Sequence, residues 1–123
     1  MHVRAICFDY GGTLDAPGIH WLERFAALYA QAGCELDWET VRAAFDYATD
    51  LAYHDPSVPE MTLQPLVRFH VARQSERLGL HDPQLSKTVE EGFIAASRKA
   101  LAESYGVLEG LRQRYQLGVI SNF

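Results

Sequence analysis

Apolar residues recur along the chain with two different spacings, and the change between them divides it into elements. Val3-Arg4-Ala5-Ile6-Cys7-Phe8 is a short, mostly apolar run that leads straight into Asp9-Tyr10-Gly11-Gly12-Thr13, the pattern of a buried strand closed by a turn. Trp21, Leu22, Phe25, Leu28, Tyr29 and Ala32 then repeat every three or four residues up to Gly33, which predicts an amphipathic helix with a natural stop. Asp37 stands as the cap of a second helix, with Val41, Ala44, Phe45, Ala48 and Ala52 as its apolar stripe and His54-Asp55-Pro56 as its end. Residues 57–60 read as a loop. Thr62 is the candidate cap of a third helix, whose inward positions are Leu63, Leu66, Val67, His70 and Val71 and whose end falls near Gly79. Asp82 followed by Pro83 has the order of a cap and a first helical residue, and Leu85, Val89, Phe93, Ala96 and Ala100 form the stripe of a fourth helix over 81–102, slightly weakened by Gly92. After Tyr105-Gly106, a short helix from Val107 to about Tyr115 and a second apolar strand, Leu117-Gly118-Val119-Ile120, lead into Ser121-Asn122-Phe123.

Two buried strands of the parallel kind need a crossover of only a dozen or so residues. Here Asp9 and Ser121 lie near opposite ends of the chain, so the excess reads as an inserted helical domain. The expected fold is α/β: a partial Rossmann-like parallel sheet built from residues 1–16 and 104–123, with an α-helical cap over 17–103. The two strands alone cannot cover the apolar faces of Ile6, Phe8, Val119 and Ile120.

Composition narrows the function classes. The 123 residues are 48% hydrophobic and 22% charged, which is a globular rather than a disordered balance. No run of about 18 apolar residues is present and no leader-like start is seen, so neither a membrane span nor secretion is expected, and the expected location is the cytoplasm. Net charge is −5, with scattered Lys and Arg, and this lacks the basic footprint of a nucleic-acid binder. Cys7 and Cys34 have neither metal-site nor disulfide spacing and read as reduced thiols. His20, His54, His70 and His81 match no common zinc motif, and His70 reads as a hydrogen-bonded core or boundary residue. Trp21, Phe25 and Tyr29 read as a core stripe in preference to a pocket lining, and Glu90, Glu91, Arg98 and Lys99 as a solvated helix face.

The candidate chemistry sits at the strand ends. Asp9 stands where open parallel sheets bind ligands, at the carboxyl end of a strand. The glycines after it allow a tight turn and leave amide N–H groups to face an anion. A carboxylate so placed can attack phosphorus and divide one displacement into two through an aspartyl-phosphate. A divalent cation offsets the meeting of two negative charges, and Mg²⁺ prefers oxygen ligands. Ser121, with the Asn122 amide beside it, offers donors for a phosphoryl oxygen.

Ala5-Ile6-Cys7-Phe8-Asp9-Tyr10-Gly11-Gly12-Thr13-Leu14 resembles the first motif of haloacid-dehalogenase-like hydrolases, an apolar strand followed by Asp-x-Asp-Gly-Thr-Leu or a variant. Leu117 to Asn122 is similar to their second motif, and Tyr105 to Leu111 to the re-entry of the chain into their core after the helical cap. The resemblance implies that Asp9 is the nucleophile and a Mg²⁺ ligand, and that Gly11 offers its backbone carbonyl to the metal. It also implies that Ser121 and Asn122 bind the phosphoryl group with Gly12 and Thr13 of the motif loop, Thr13 bracing that loop. The implied substrate is a small phosphorylated metabolite.

The chain departs from the family pattern in three ways. Gly11 stands where the phosphatases carry a second Asp that protonates the leaving group. Asp15 is the nearest substitute, although a solvated loop residue is the favoured reading of it. Dehalogenases of the family also lack that Asp but carry an aromatic residue there, which keeps dehalogenation as a minority alternative. The Lys of the third motif and the acidic residues of the fourth do not follow Ser121, and Lys87 and Lys99 fall in the helical insertion. The alternative expectation is therefore a catalytically silent fragment, or a chain that needs a complementing part or self-association through its incomplete sheet edge. A phosphorylated receiver-like module is the remaining alternative, and the helical insertion argues against it.

Overall fold

The structure is a computed structural model that describes residues 2–121. Its elements in chain order are β1 (Ala5–Asp9), α1 (Trp21–Gln31), α2 (Trp38–His54), a short 3-10 turn (Val58–Glu60), α3 (Leu63–Leu78), α4 (Pro83–Arg112) and β2 (Gln116–Ile120). Among the described residues it is thus a mixed helical and strand architecture with a two-stranded sheet and four α-helices. No helix among the described residues is long and apolar enough to cross a membrane. The chain forms two compact units: one runs through Trp21 and resumes at Ala95, the other is Leu22–Ile94.

Local chemistry sets most helix ends as expected. Asp37 caps α2, accepting from the Thr40 amide at 2.9 Å and from the Thr40 hydroxyl at 2.8 Å. Those two bonds favour the ionised form and hold the Asp37 carboxyl below its usual range. Asp82 accepts from the Gln84 and Leu85 amides at the head of α4. Gly79 closes α3 in the left-handed region at φ 67°, and the Leu80 amide returns to Ser75 O at 3.0 Å. Thr62 occupies the cap position of α3, but its side chain makes no capping bond.

The expected break at Tyr105-Gly106 is absent, and α4 continues for 30 residues through the position predicted to start a separate short helix. A helical glycine costs only about 1 kcal/mol relative to alanine. Here the good helix formers of 100–103 precede it and Leu108-Glu109 follow it, and the last turns carry a Tyr105–Glu109 hydrogen bond at 3.0 Å and an Arg112–Glu109 ion pair at 3.0 Å.

The helical unit is organised around a stack of planar groups. The Arg24 guanidinium lies 3.7 Å over the Phe93 ring, Phe93 stacks on Phe25 at 4.4 Å, and Phe25 stacks on the His70 imidazole at 5.6 Å. Phe25, Phe93 and His70 are fully buried. Ala44, Ala48 and Ala52 recur every fourth residue along the buried side of α2, which packs against α3, itself burying Val67 and Val71. Trp21 and Tyr29 are buried as well, so the α1 stripe is core. Glu90 departs from the expected solvated face: its carboxylate is largely covered and pairs with Arg68 of α3 at 3.1 Å.

His70 is the polar member of this core. Its Nδ1 accepts from Gln74 Nε2 at 2.9 Å, which leaves the ring proton on Nε2, 3.3 Å from Thr49 Oγ1. Burial pushes its pKa from 6.5 down to about 4. Between those values an unfolded His70 binds a proton that the folded one refuses, so stability is full above pH 6.5 and falls as the pH drops towards 4, by up to about 3 kcal/mol. Urea midpoints at pH 7 and pH 4.5 check this: His70→Gln is expected to flatten that slope, and an unchanged slope would count against a buried neutral imidazole.

In the other unit, β1 and β2 pair in parallel, with Ala5 opposite Gln116 and Asp9 opposite Ile120. The pairing begins with the Gln116 amide donating to Arg4 O at 2.9 Å. The sheet carries apolar surface without cover, as two strands alone predict: Val119 is 59% exposed and Ile120 67%.

Candidate active site

Asp9 is the last residue of β1 and is exposed. The chain then turns back sharply. The Tyr10 carbonyl accepts from the Thr13 amide at 3.1 Å and from the Leu14 amide at 3.0 Å, while the Gly18 amide donates to Gly12 O at 2.9 Å and closes the wider loop. Gly12 has φ 77°, and a Cβ there would lie 3.3 Å from Ile19 O, so both backbone conformation and space call for glycine. At Gly11 a Cβ would meet nothing within 4 Å.

The loop amides are more committed than the sequence suggested. The Tyr10 amide donates to Asp9 Oδ1 at 2.8 Å, and the Gly12 amide, expected to face an anion, donates to Asp15 Oδ1 at 2.7 Å. Asp15 is correspondingly not a solvated loop residue. It is fully buried, and its second oxygen accepts from the Trp21 indole Nε1 at 2.5 Å. The Ser104 hydroxyl of α4 donates to Leu14 O at 2.7 Å. Bracing of the loop, assigned by resemblance to Thr13, is carried visibly by Asp15, Trp21 and Ser104. Thr13 itself is exposed and contributes its amide to the turn.

Parallel register decides what shares the strand ends with Asp9. Its partner is Ile120, so Ser121 continues the neighbouring strand one residue further, across a spacing of about 4.8 Å between strands. Asp9 and Ser121 therefore lie at the same end of the sheet, and both are exposed. Asn122, the other expected phosphoryl donor, lies outside the described residues. Lys87 and Lys99 are exposed on α4, both ion-paired or solvated helix residues, with Lys87 3.8 Å from Glu91.

Among the described residues no group of three or more His, Cys, Asp or Glu side chains is able to hold a metal ion. The oxygen donors at the strand end still suit Mg²⁺ in kind: an exposed carboxylate on Asp9 and the Gly11 carbonyl two residues on. Mg²⁺ keeps several waters and takes few protein ligands. Comparison of the chain with protein-family models, with curated proteins and with solved structures gives no match.

Asp15, weighed from the sequence as a substitute acid and read as a solvated loop residue, is instead buried and tied to the loop. One signal for it was present: an acid three residues after a glycine that must adopt positive φ can reach back to that glycine's amide. Its second partner, the indole of Trp21, depends on where α1 begins.

Proposed function

We propose that Asp9 is the nucleophile of a Mg²⁺-dependent hydrolase acting on a small phosphate ester. The observation that carries this reading is the parallel register of β1 and β2, which pairs Asp9 with Ile120, the residue before Ser121. The resemblance of both strand ends to the motifs of haloacid-dehalogenase-like hydrolases supports it further.

In this mechanism an Asp9 carboxylate oxygen attacks phosphorus, and the bond between phosphorus and the ester oxygen breaks. The leaving oxygen takes its proton from water, because Gly11 has none to give. Water then attacks phosphorus, the bond to Asp9 breaks, and inorganic phosphate leaves with the carboxylate restored. Ser121 supplies a hydroxyl donor to a phosphoryl oxygen, and the tight Tyr10-to-Leu14 turn fixes the direction from which Asp9 approaches. Asp9 and the Gly11 carbonyl would hold Mg²⁺, which when bound would supply charge neutralisation between the carboxylate and the phosphoryl group.

Covalent capture tests the reading. The chain is incubated with Mg²⁺ and acetyl phosphate, reduced with borohydride, and digested for peptide mass mapping. The expected result is a single modified residue at Asp9 that disappears in Asp9→Asn and on chelation of the metal. Modification at another carboxylate, or equal modification without Mg²⁺, would overturn it.

A further inference from the structure

Asp15 sits six residues beyond the proposed nucleophile, sealed from solvent, with both carboxylate oxygens taken by N–H donors. A group so enclosed is not presented to a ligand, which removes it as a stand-in for the missing acid. Its partners are informative. One is the amide of Gly12, the residue whose positive φ makes the turn after Asp9. The other is the indole of Trp21, the first residue of α1 and itself almost fully buried. Hydrogen bonds to a carboxylate are about twice as strong as neutral ones, and both of these lie at the short end of the range.

We infer that Asp15 is a positioning residue for the Asp9 loop, holding the Gly12 amide and the Trp21 indole on its two oxygens so that the backbone from Asp9 to Leu14 keeps one conformation. The inference rests on the reading of Asp9 as nucleophile for its catalytic meaning, but the tie itself is a property of the loop. Misplacing a nucleophile by about 1 Å can cost about 10²-fold in rate. Backbone bonds to the Tyr10 carbonyl form the Tyr10-to-Leu14 turn, and a second tie, from the Ser104 hydroxyl to Leu14 O, secures its far end. Asp15 thus couples ligand occupancy of the loop to the surroundings of a tryptophan.

That coupling supplies the readout. The chain has two tryptophans, and replacing the half-exposed Trp38 by Phe leaves Trp21 as the sole reporter. Beryllofluoride with Mg²⁺ serves as the probe, since it mimics a phosphoryl group on a carboxylate. Trp21 emission is expected to change on adding the probe. Asp15→Asn keeps the shape but leaves one N–H donor facing an amide NH₂, and it is expected to weaken apparent affinity about tenfold or more. Val67→Ala, a change in the core of the helical unit, is expected to stay within about twofold. In parallel, the Gly12 amide is expected to exchange with solvent about tenfold or more faster in Asp15→Asn.

A folded Asp15→Asn that binds the probe as the native chain does, while Asp9→Asn binds none, overturns the positioning role and leaves the nucleophile standing. If the native chain gives no response, or Asp9→Asn retains one, the reading of Asp9 fails, and amide exchange alone decides on Asp15: unchanged Gly12 exchange overturns the tie. Should Asp15→Asn fail to fold, Trp21→Phe removes only the indole donor and is read by the same exchange measurement, with faster exchange expected and no change overturning the tie.

Discussion

Gly11→Asp is expected to accelerate hydrolysis of an alkyl phosphate by about 10²–10⁴-fold, with a far smaller gain on an aryl phosphate. The difference comes from the leaving group. An aryloxide departs without help, whereas an alkoxide needs a proton as the bond to phosphorus breaks, and no group at position 11 supplies one in the native chain. The position accepts a side chain: a Cβ at Gly11 meets nothing within 4 Å, and its φ lies outside the left-handed region. At the neighbouring Gly12 the same substitution would press on Ile19 O and strain the backbone. Steady-state rates on a matched alkyl and aryl pair, with Mg²⁺ present, check the expectation. Equal gains on both substrates, or none on either, would argue that proton supply does not limit the native chain.

The largest expected loss of stability comes from Phe93→Ala, at about 3–5 kcal/mol. Phe93 is fully buried between the Phe25 ring and the Arg24 guanidinium, so truncation opens a cavity and removes contacts on both of its faces. Arg24 is also nearly buried, with Nη2 donating to Phe93 O at 3.1 Å. That bond to the backbone survives the substitution, while the contact with the ring does not. The guanidinium contact is worth about 0.5–2 kcal/mol. Arg24→Met combined with Phe93→Ala should therefore cost less than the two single changes added together. Urea unfolding followed by circular dichroism measures all three. A cost for Phe93→Ala below about 1 kcal/mol would mean that the ring is not packed as described.

Elements set by neighbours in sequence were legible in the chain. Asp37, Gly79 and the Asp82-Pro83 pair each act within one helical turn, and each does what its spacing predicts. The pairing of the two apolar runs as parallel strands was expected from their near-continuous apolar character. Legibility ends where an outcome depends on competition or on distant partners. Tyr105-Gly106 looked like a stop, but one glycine is a weak breaker against the helix formers of 100–103 and the Tyr105–Glu109 and Glu109–Arg112 pairs. Glu90 belongs by spacing to a solvated face, yet Arg68 of α3 covers and pairs with it. Asp15 looked like a surface acid because surface is the ordinary place for one. Only the folding back of residues 10–20 brings Trp21 to it. At the candidate site, the positions of Asp9 and Ser121 were foreseen, whereas the inward turn of the Gly12 amide was not.

The route of the chain between its compact units has a consequence of another kind. Both crossings, at Trp21/Leu22 and at Ile94/Ala95, fall inside helices rather than loops, the first at the head of α1 and the second in the body of α4. A module joined through loops can be cut out, exchanged or lengthened while every hydrogen-bond ladder stays whole. Here the helical module has no such seam. A graft at Ile94/Ala95 interrupts α4 itself, where one inserted residue shifts the helical phase of the positions that follow by about 100°. Variation in length is thereby steered away from the junctions and into the connections at 32–37, 55–62 and 79–82, where the backbone already leaves the helices.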